Sequence, residues 1–408
     1  MADIKPFYCL RPPAELVDKV SELPYDVCST REARDKASGN PYNFYHISKP
    51  EITLPEDIDP CADEVYIRGR ENLEAFFNSG YLIEDDTPAL FLYTLEMNGR
   101  SQTGIVCVVS IDDYDNDIIK KHEYTREAKE RDRIRHIEAL SAQTGPVFLM
   151  FRQNDEIRNL MKDVKDSELL YDFIADDGVR HTVRHIYDER RIGQFHQAFS
   201  TLPLYIADGH HRAASAASVG RNHREAGIHD GSDYFLSVVF PDDELLIMPY
   251  NRALKDLNGH TPDELFARLE EKFSAEKTEQ KEPVDRATFC MYIESQWYLL
   301  KPKFDIPDGP VESLDVQILQ SKVLQPVFGI DNPRTSERID FIGGIRGTAE
   351  LERIVDSGDF AAAFSMYPTT IDQLLNVSDA GTVMPPKSTW FEPKLRSGLF
   401  VHRFRKQG

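Results

Sequence analysis

Residues 203–218 read PLYIADGHHRAASAAS, an apolar strand that passes through Asp208-Gly209 straight into a run of small helix formers. A strand joined to a helix by one glycine constrains the fold strongly, because the helix must turn back over the sheet that holds its strand. The Ala-Ala-Ser-Ala-Ala run lets that helix lie close on the strands. His210, His211 and Arg212 fall in its first turn, where unpaired N–H groups and a dipole end of roughly +0.5 charge already disfavour cations. Three potential cations at a positive end point to an anion held among them, and such local conflict marks functional sites. The structural alternative makes Asp208 a helix cap and leaves the histidines as solvated or packing groups. Zinc is disfavoured, since adjacent helical histidines diverge by about 100° and no HExxH or thiolate pair accompanies them.

The stretch before residue 116 reads differently. The prolines at 41, 50, 55 and 60 predict a long ordered loop. A helix follows, with Val65, Leu73, Phe76 and Phe77 on one face and Gly80 as its stop. ALFLYTLEM and TGIVCVVSI flank Asn98-Gly99, a strong hairpin signal. From about residue 116 helices and strands alternate: a helix capped by Thr125, a buried strand PVFLMF, a more exposed RHTVRHIYD, the 203–218 unit with Gly220 as helix stop, then DYFLSVVF and ELLIMPY continuing the sheet. Beyond 260 come a helix at 262–272, a hairpin-like pair, IDFIGG, a helix at 347–356 and FAAAFSMYP. The expectation is a multi-domain α/β (mixed α+β) protein: an N-terminal α+β region over 1–115, a central mixed sheet with flanking helices over 116–255, and a C-terminal α/β region over 256–408.

Composition narrows the partners. The chain has 408 residues, 41% of them hydrophobic, and a formal charge of −21, which opposes nucleic acid and acidic lipid. Its five cysteines show no CxxC spacing, so neither a disulfide framework nor a zinc knuckle is expected. No signal-like start and no long apolar run stand out, and the expectation is a soluble, cytoplasmic protein without a membrane partner.

Two further stretches carry candidate chemistry. In IIKKHEYTREAKERDRIRHIEAL, Lys120, Lys121 and His122 precede a helix whose Arg131, Arg135 and Glu138 form one ridge, with His136 beside it. The ridge reads equally as a phosphate clamp or as ordinary surface ion pairs. Gln143 and Thr144 form a polar turn that feeds a buried strand, a usual ligand-receiving place in α/β folds. In MPPKSTWFEPKL, Lys387 and Ser388 sit behind two prolines and offer phosphate-compatible groups, without the glycines of a P-loop. PYDV at 24–27 offers Asp26 as a further carboxylate or a cap. No GxSxG elbow or dinucleotide-binding glycine pattern occurs, which disfavours serine hydrolases and dehydrogenases.

Strand, DGHHR and small-residue helix together resemble the G-x-x-R loop–helix of the ParB and sulfiredoxin superfamily, over about residues 160–245. That superfamily binds nucleotide phosphates there and includes ADP-dependent free-serine kinases. The blocks PYDVCSTREARDKASGNPYNFYHISKPEI, SQTGIVCVVSIDDYDNDIIKKHEYTREAKERDRIRHIEALSAQTGPVF, ADGHHRAASA and MPPKSTWFEPKLRSGL resemble the bacterial family called domain of unknown function 1015, across essentially the whole chain. Leu23 stands where that family usually has the first proline of PPYDV.

The resemblances imply a nucleotide- or phosphate-binding enzyme that transfers a phosphoryl group to or from a small hydroxy metabolite such as free serine, with Mg²⁺ and ADP or ATP. In that reading Gly209, Arg212, Lys120, Lys121, His122, Arg135, His136, Gln143, Thr144, Lys387 and Ser388 hold phosphate or substrate. Asp208, His210, His211 and Glu138 are the catalytic candidates, Glu123 is a further carboxylate, and no residue is assigned as a metal ligand. The alternative is a non-catalytic nucleotide- or metabolite-binding regulator of ParB-like type. The phosphate-cradle reading also expects Arg212→Ala to melt no lower than the parent, since it removes a cation from a positive helix end.

Overall fold

The computed structural model describes residues 2–405. It divides into two compact units, one running up to Leu245 and taking in the segment from Pro393 onward, the other Leu246–Glu392. The stretches 1–115 and 116–255, read from the sequence as separate regions, supply strands to one and the same sheet in the first unit.

That sheet has nine strands and is mixed. Its order is Ile119–Lys120, Leu204–Asp208, Val147–Phe151, Tyr234–Pro241, Arg100–Ser110, Leu90–Met97, Arg180–Ile186 and Leu169–Ile174, with Ile4–Lys5 added beside Arg100–Ser110. Val147–Phe151 is buried throughout and lies antiparallel to Leu204–Asp208 but parallel to Tyr234–Pro241. The 98–99 hairpin forms as expected, with both central residues at positive φ (53° and 76°) as its tight turn requires. Helix His210–Glu225 packs on helix Glu127–Leu140, and its alanines Ala213, Ala216 and Ala217 enter the sheet's core with Leu149, Ile206 and Phe235.

Several local expectations shift. Gly220 does not stop its helix, which runs on to Glu225; a Cβ at Gly220 would collide with the Ser232 carbonyl, so the glycine serves close packing. Thr125 is not a cap, because the helix begins at Glu127 and the Thr125 hydroxyl donates to Glu130 instead. Phe77 is exposed, off the buried face of helix Asp63–Asn78. The proline-rich loop contains a short helix, Tyr45–Ser48, and a 3-10 turn, Pro50–Thr53.

The second unit is built on a six-stranded antiparallel sheet in the order Phe273–Lys277, Gln296–Pro302, Phe289–Ile293, Ala362–Met366, Tyr250–Leu254 and Ile339–Gly343. Helix Gly347–Asp356 covers one face through Leu351 and Ile354, which meet Ala253, Ile342 and Ala363. ELLIMPY does not extend the first sheet; Leu246–Met248 pairs with Trp390–Glu392, and Tyr250–Leu254 enters the second sheet. Among the described residues no helix is long and apolar enough to cross a membrane.

Candidate functional site

Strand Leu204–Asp208 and helix His210–Glu225 meet at Gly209, whose φ of +94° is open to glycine and strained for other residues. Asp208 does not cap this helix, since Gly209 occupies the cap position and no side chain bonds there. The Asp208 carboxylate accepts the Gly209 N–H (2.8 Å) on one oxygen and the Lys394 ammonium (3.1 Å) on the other. Burial alone would raise its pKa, but Lys394 and then Arg212 outweigh burial and hold it well below the usual carboxylate range.

The two histidines are not cations here. His210 Nε2 accepts the His122 backbone N–H (3.3 Å), and His211 Nε2 accepts the Arg126 backbone N–H (3.0 Å). An Nε2 that accepts must carry no proton, so each ring is a neutral Nδ1–H tautomer. Burial, then His122, holds His210 well below its ordinary pKa, and burial also lowers His211 and pushes His122 down to about 4. His122 packs edge-on against His210 at 4.4 Å between ring centres. The adjacent histidines therefore hang the loop 122–126 on the start of the helix. Protonating either Nε2 would set one N–H against another.

Arg212 remains as the permanent cation of the turn. Its guanidinium folds back over Gly209, so closely that a Cβ on that glycine would stand 3.3 Å from Cζ. It donates to the Pro146 carbonyl and meets Asp26 at 3.5 Å. Burial works against its charge, but Asp26 and Asp208 outweigh it and raise the pKa. Nε is buried and has no hydrogen-bond partner among the described residues. The side chain lines a cavity together with Tyr25, Arg133, Gln143, Thr144 and Ser397. PYDV, the QTG turn, DGHHR and the segment after Glu392 thus meet at one place.

The other candidates divide. Gln143 and Thr144 line the cavity, as does His136. Gln143 also bridges the sheet, its Oε1 accepting from Leu236 N–H (2.6 Å) and its Nε2 donating to the Tyr234 carbonyl (3.3 Å). His136 donates from Nε2 to the Ile47 carbonyl, and burial, then Arg133, pushes its pKa down to about 3. Lys120 lies on strand Ile119–Lys120 beside Tyr205, its ammonium 5.9 Å from that ring. Lys121 donates to the Tyr114 carbonyl and stacks on that ring at 4.0 Å.

The expected ridge does not reach the cavity. Arg135 turns to helix Asp63–Asn78, where it pairs with Asp63 and stacks on Tyr66 at 4.2 Å; Glu138 is exposed. Arg131 pairs with Glu127, so this ridge follows the surface-pairing alternative. Arg133, two positions away on the same helix, lines the cavity and stacks on Tyr25 at 4.1 Å. Lys387 and Ser388 belong to the second unit. The lysine of that block which reaches the turn is Lys394, seven residues further on; only contact with Asp208 distinguishes it, and no local motif announces that contact. Among the described residues no group of three or more His, Cys, Asp or Glu side chains gathers as metal ligands.

A family model described as a protein of unknown function, DUF1015, matches residues 4–317. No curated protein matches the chain. Among solved structures, a free serine kinase variant in complex with AMP is similar at 15% identity over 70% of this chain and 87% of that one, with a TM-score of 0.35. A conserved hypothetical protein from Pyrococcus furiosus, at 15% identity, covers 70% and 90% with a TM-score of 0.33. SbnI with a C-terminal truncation, from Staphylococcus aureus, is 12% identical over 72% and 85%, with a TM-score of 0.39. Scores of this size transfer neither ligand nor reaction.

Proposed function

Because the chain belongs to the DUF1015 family of unknown function, its activity has to come from its own residues, and we propose that the first unit binds a nucleotide or similar phosphorylated molecule at the 208–212 turn. One observation carries this reading: Arg212 lies over Gly209 at a helix start with a buried Nε that no group among the described residues takes up. An unmet guanidinium N–H in a cavity costs stability, and a phosphate oxygen is the group that fits both it and the positive helix end. Arg133, Gln143 and Thr144 line the same space and supply further donors. The reaction proposed is phosphoryl transfer to or from a small hydroxy metabolite such as free serine, with ADP or ATP and Mg²⁺. Asp208, an ionised carboxylate at the start of the turn, is suited to orient a hydroxyl or a hydrated cation.

A second reading, a nucleotide- or metabolite-binding regulator without turnover, is favoured by one detail. Asp208 is already occupied by Lys394 and the Gly209 N–H, and both histidine Nε2 atoms by backbone N–H groups. The decisive experiment is ³¹P NMR of the protein with ADP or ATP, Mg²⁺ and a panel of hydroxy amino acids and their phosphates. New phosphate resonances that vanish in Asp208→Asn establish transfer. Broadened nucleotide signals with no new product establish the regulator, and unchanged signals refute both.

A further inference from the structure

The second unit holds a buried cation with no counter-ion among the described residues. Arg252, on strand Tyr250–Leu254, is only 3% exposed and stands across from Phe341 and Phe364 on the neighbouring strands. Its guanidinium donates to the Tyr250 carbonyl and to the Lys387 carbonyl (3.0 Å), and stacks on Phe341 at 4.8 Å. Among the described residues no carboxylate pairs with it, and burial pushes its pKa down to about 10, which still leaves it charged at neutral pH. A buried charge without a partner is destabilising, so a chain rich in acidic residues that leaves one unpaired is leaving room for an outside anion.

A second cation stands beside it. The exposed Lys387 makes no ion pair among the described residues, and its ammonium lies 5.5 Å from the Tyr250 ring centre. Its backbone has a φ of +60°, a conformation a lysine adopts only under constraint. The turn is held by Ser388 Oγ donating to the Pro385 carbonyl (2.6 Å) and by Thr369 donating to the Ser388 carbonyl (2.8 Å). Trp390 closes the side, edge-on to Tyr250 at 5.1 Å. The carbonyl that covers Arg252 is thus offered by a strained, exposed residue, the kind of cover an anion can displace.

We propose that Arg252 and Lys387 form an anion site in the second unit, separate from the 208–212 turn, that takes a small phosphate- or carboxylate-bearing molecule beside the Tyr250 ring. The anion replaces the Lys387 carbonyl on the guanidinium while the Lys387 ammonium closes over it. The chain's two tryptophans, Trp297 and Trp390, both lie in this unit, so tryptophan emission reports on it alone.

The test titrates the full chain with inorganic phosphate and, separately, with succinate, against chloride at equal ionic strength, following emission and melting temperature. Saturable changes are expected with at least one of the two, and the stronger responder tells phosphate from carboxylate. Arg212→Lys should leave the emission response intact, since both tryptophans lie in the second unit. Lys387→Ala should weaken it roughly fivefold or more, and Lys387→Glu should abolish it, by the scale of one charge-assisted bond. Arg252→Met, if its circular dichroism matches the parent, should abolish it too; the exposed Lys387 variants decide the matter if it does not fold. The proposal is overturned if both Lys387 variants titrate like the parent in emission, or if the parent's emission responds to neither anion beyond chloride.

Discussion

Lys394 donates to the Asp208 carboxylate at 3.1 Å, a contact between residues 186 positions apart that ties the segment after Glu392 to the opening of helix His210–Glu225. Lys394 is buried and Asp208 half-buried, so the pair feels less screening than a surface bridge. Replacing Lys394 with Met should cost about 1–3 kcal/mol at pH 7, since it strands a carboxylate whose charge it supports. The sign of the pH dependence follows from a depressed carboxyl pKa. The contribution is complete above the ordinary value of about 4 and is lost as pH falls further. Urea denaturation of parent and variant at pH 7, 5 and 3 should show equal gaps at pH 7 and 5 and a narrower one at pH 3; a gap as wide at pH 3 as at pH 7 refutes the assignment.

Acid should weaken the whole first unit before the carboxylates matter. Burial comes first among the causes that push His122 and His402 down to about 4 and His136 to about 3, with Arg133 adding to the last. The unfolded chain takes up protons at these positions from about pH 6.5 downward while the folded chain does not. Stability is therefore full above pH 6.5 and falls as pH drops toward 4, by up to about 1.4 kcal/mol per pH unit for each such histidine. Denaturation midpoints at pH 7, 6 and 5 check this, and equal midpoints would contradict the buried neutral assignment.

Gly209 leaves little tolerance. Alanine there must adopt a φ of +94° and place a methyl 3.3 Å from the Arg212 guanidinium. The backbone strain alone amounts to about 1–2 kcal/mol. Gly209→Ala should therefore both lower the melting temperature and displace Arg212, weakening nucleotide binding together with stability. A variant that melts lower yet binds ATP like the parent would separate the glycine's backbone role from the cradle.

The strand–glycine–helix unit was legible because each part has a short-range cause: an apolar run, a residue free to take positive φ, then helix formers. The Asn98-Gly99 hairpin and helix Gly347–Asp356 were legible for the same reason. What local pattern could not supply was partnership at long range. His210 and His211 looked like cations because the sequence does not show the His122 and Arg126 N–H groups that make them neutral acceptors. Arg135 and Arg133 lie two residues apart on one helix, and only the position of helix Asp63–Asn78 decides that the first faces it and the second faces the cavity. Gly220 reads as a stop until the Ser232 carbonyl is seen against it.

Arg212 joins the structural and ligand-binding roles of the opening motif. From the sequence alone its removal relieves a cation at a positive helix end, and Arg212→Ala is expected to melt no lower than the parent. The structure reverses that sign. The Arg212 side chain is only 10% exposed, bonded to the Pro146 carbonyl and paired with Asp26, so truncation leaves both without their donor. Arg212→Ala should lose about 1–3 kcal/mol of stability without ligand. Arg212→Lys keeps the charge beside Asp26 and should lose less, but it gives up the fork geometry and the free Nε. Its affinity for nucleotide should fall by about 1–3 kcal/mol, or roughly 5- to 150-fold, the scale of a charge-assisted hydrogen bond. Thermal melts with and without ATP read both quantities from one set of samples. A lysine variant that melts near the parent and shows no ATP-dependent stabilisation locates the phosphate at Arg212. One that keeps the parent's full stabilisation by ATP removes Arg212 from the binding site and leaves it as the clamp between Asp26 and the 145–146 turn.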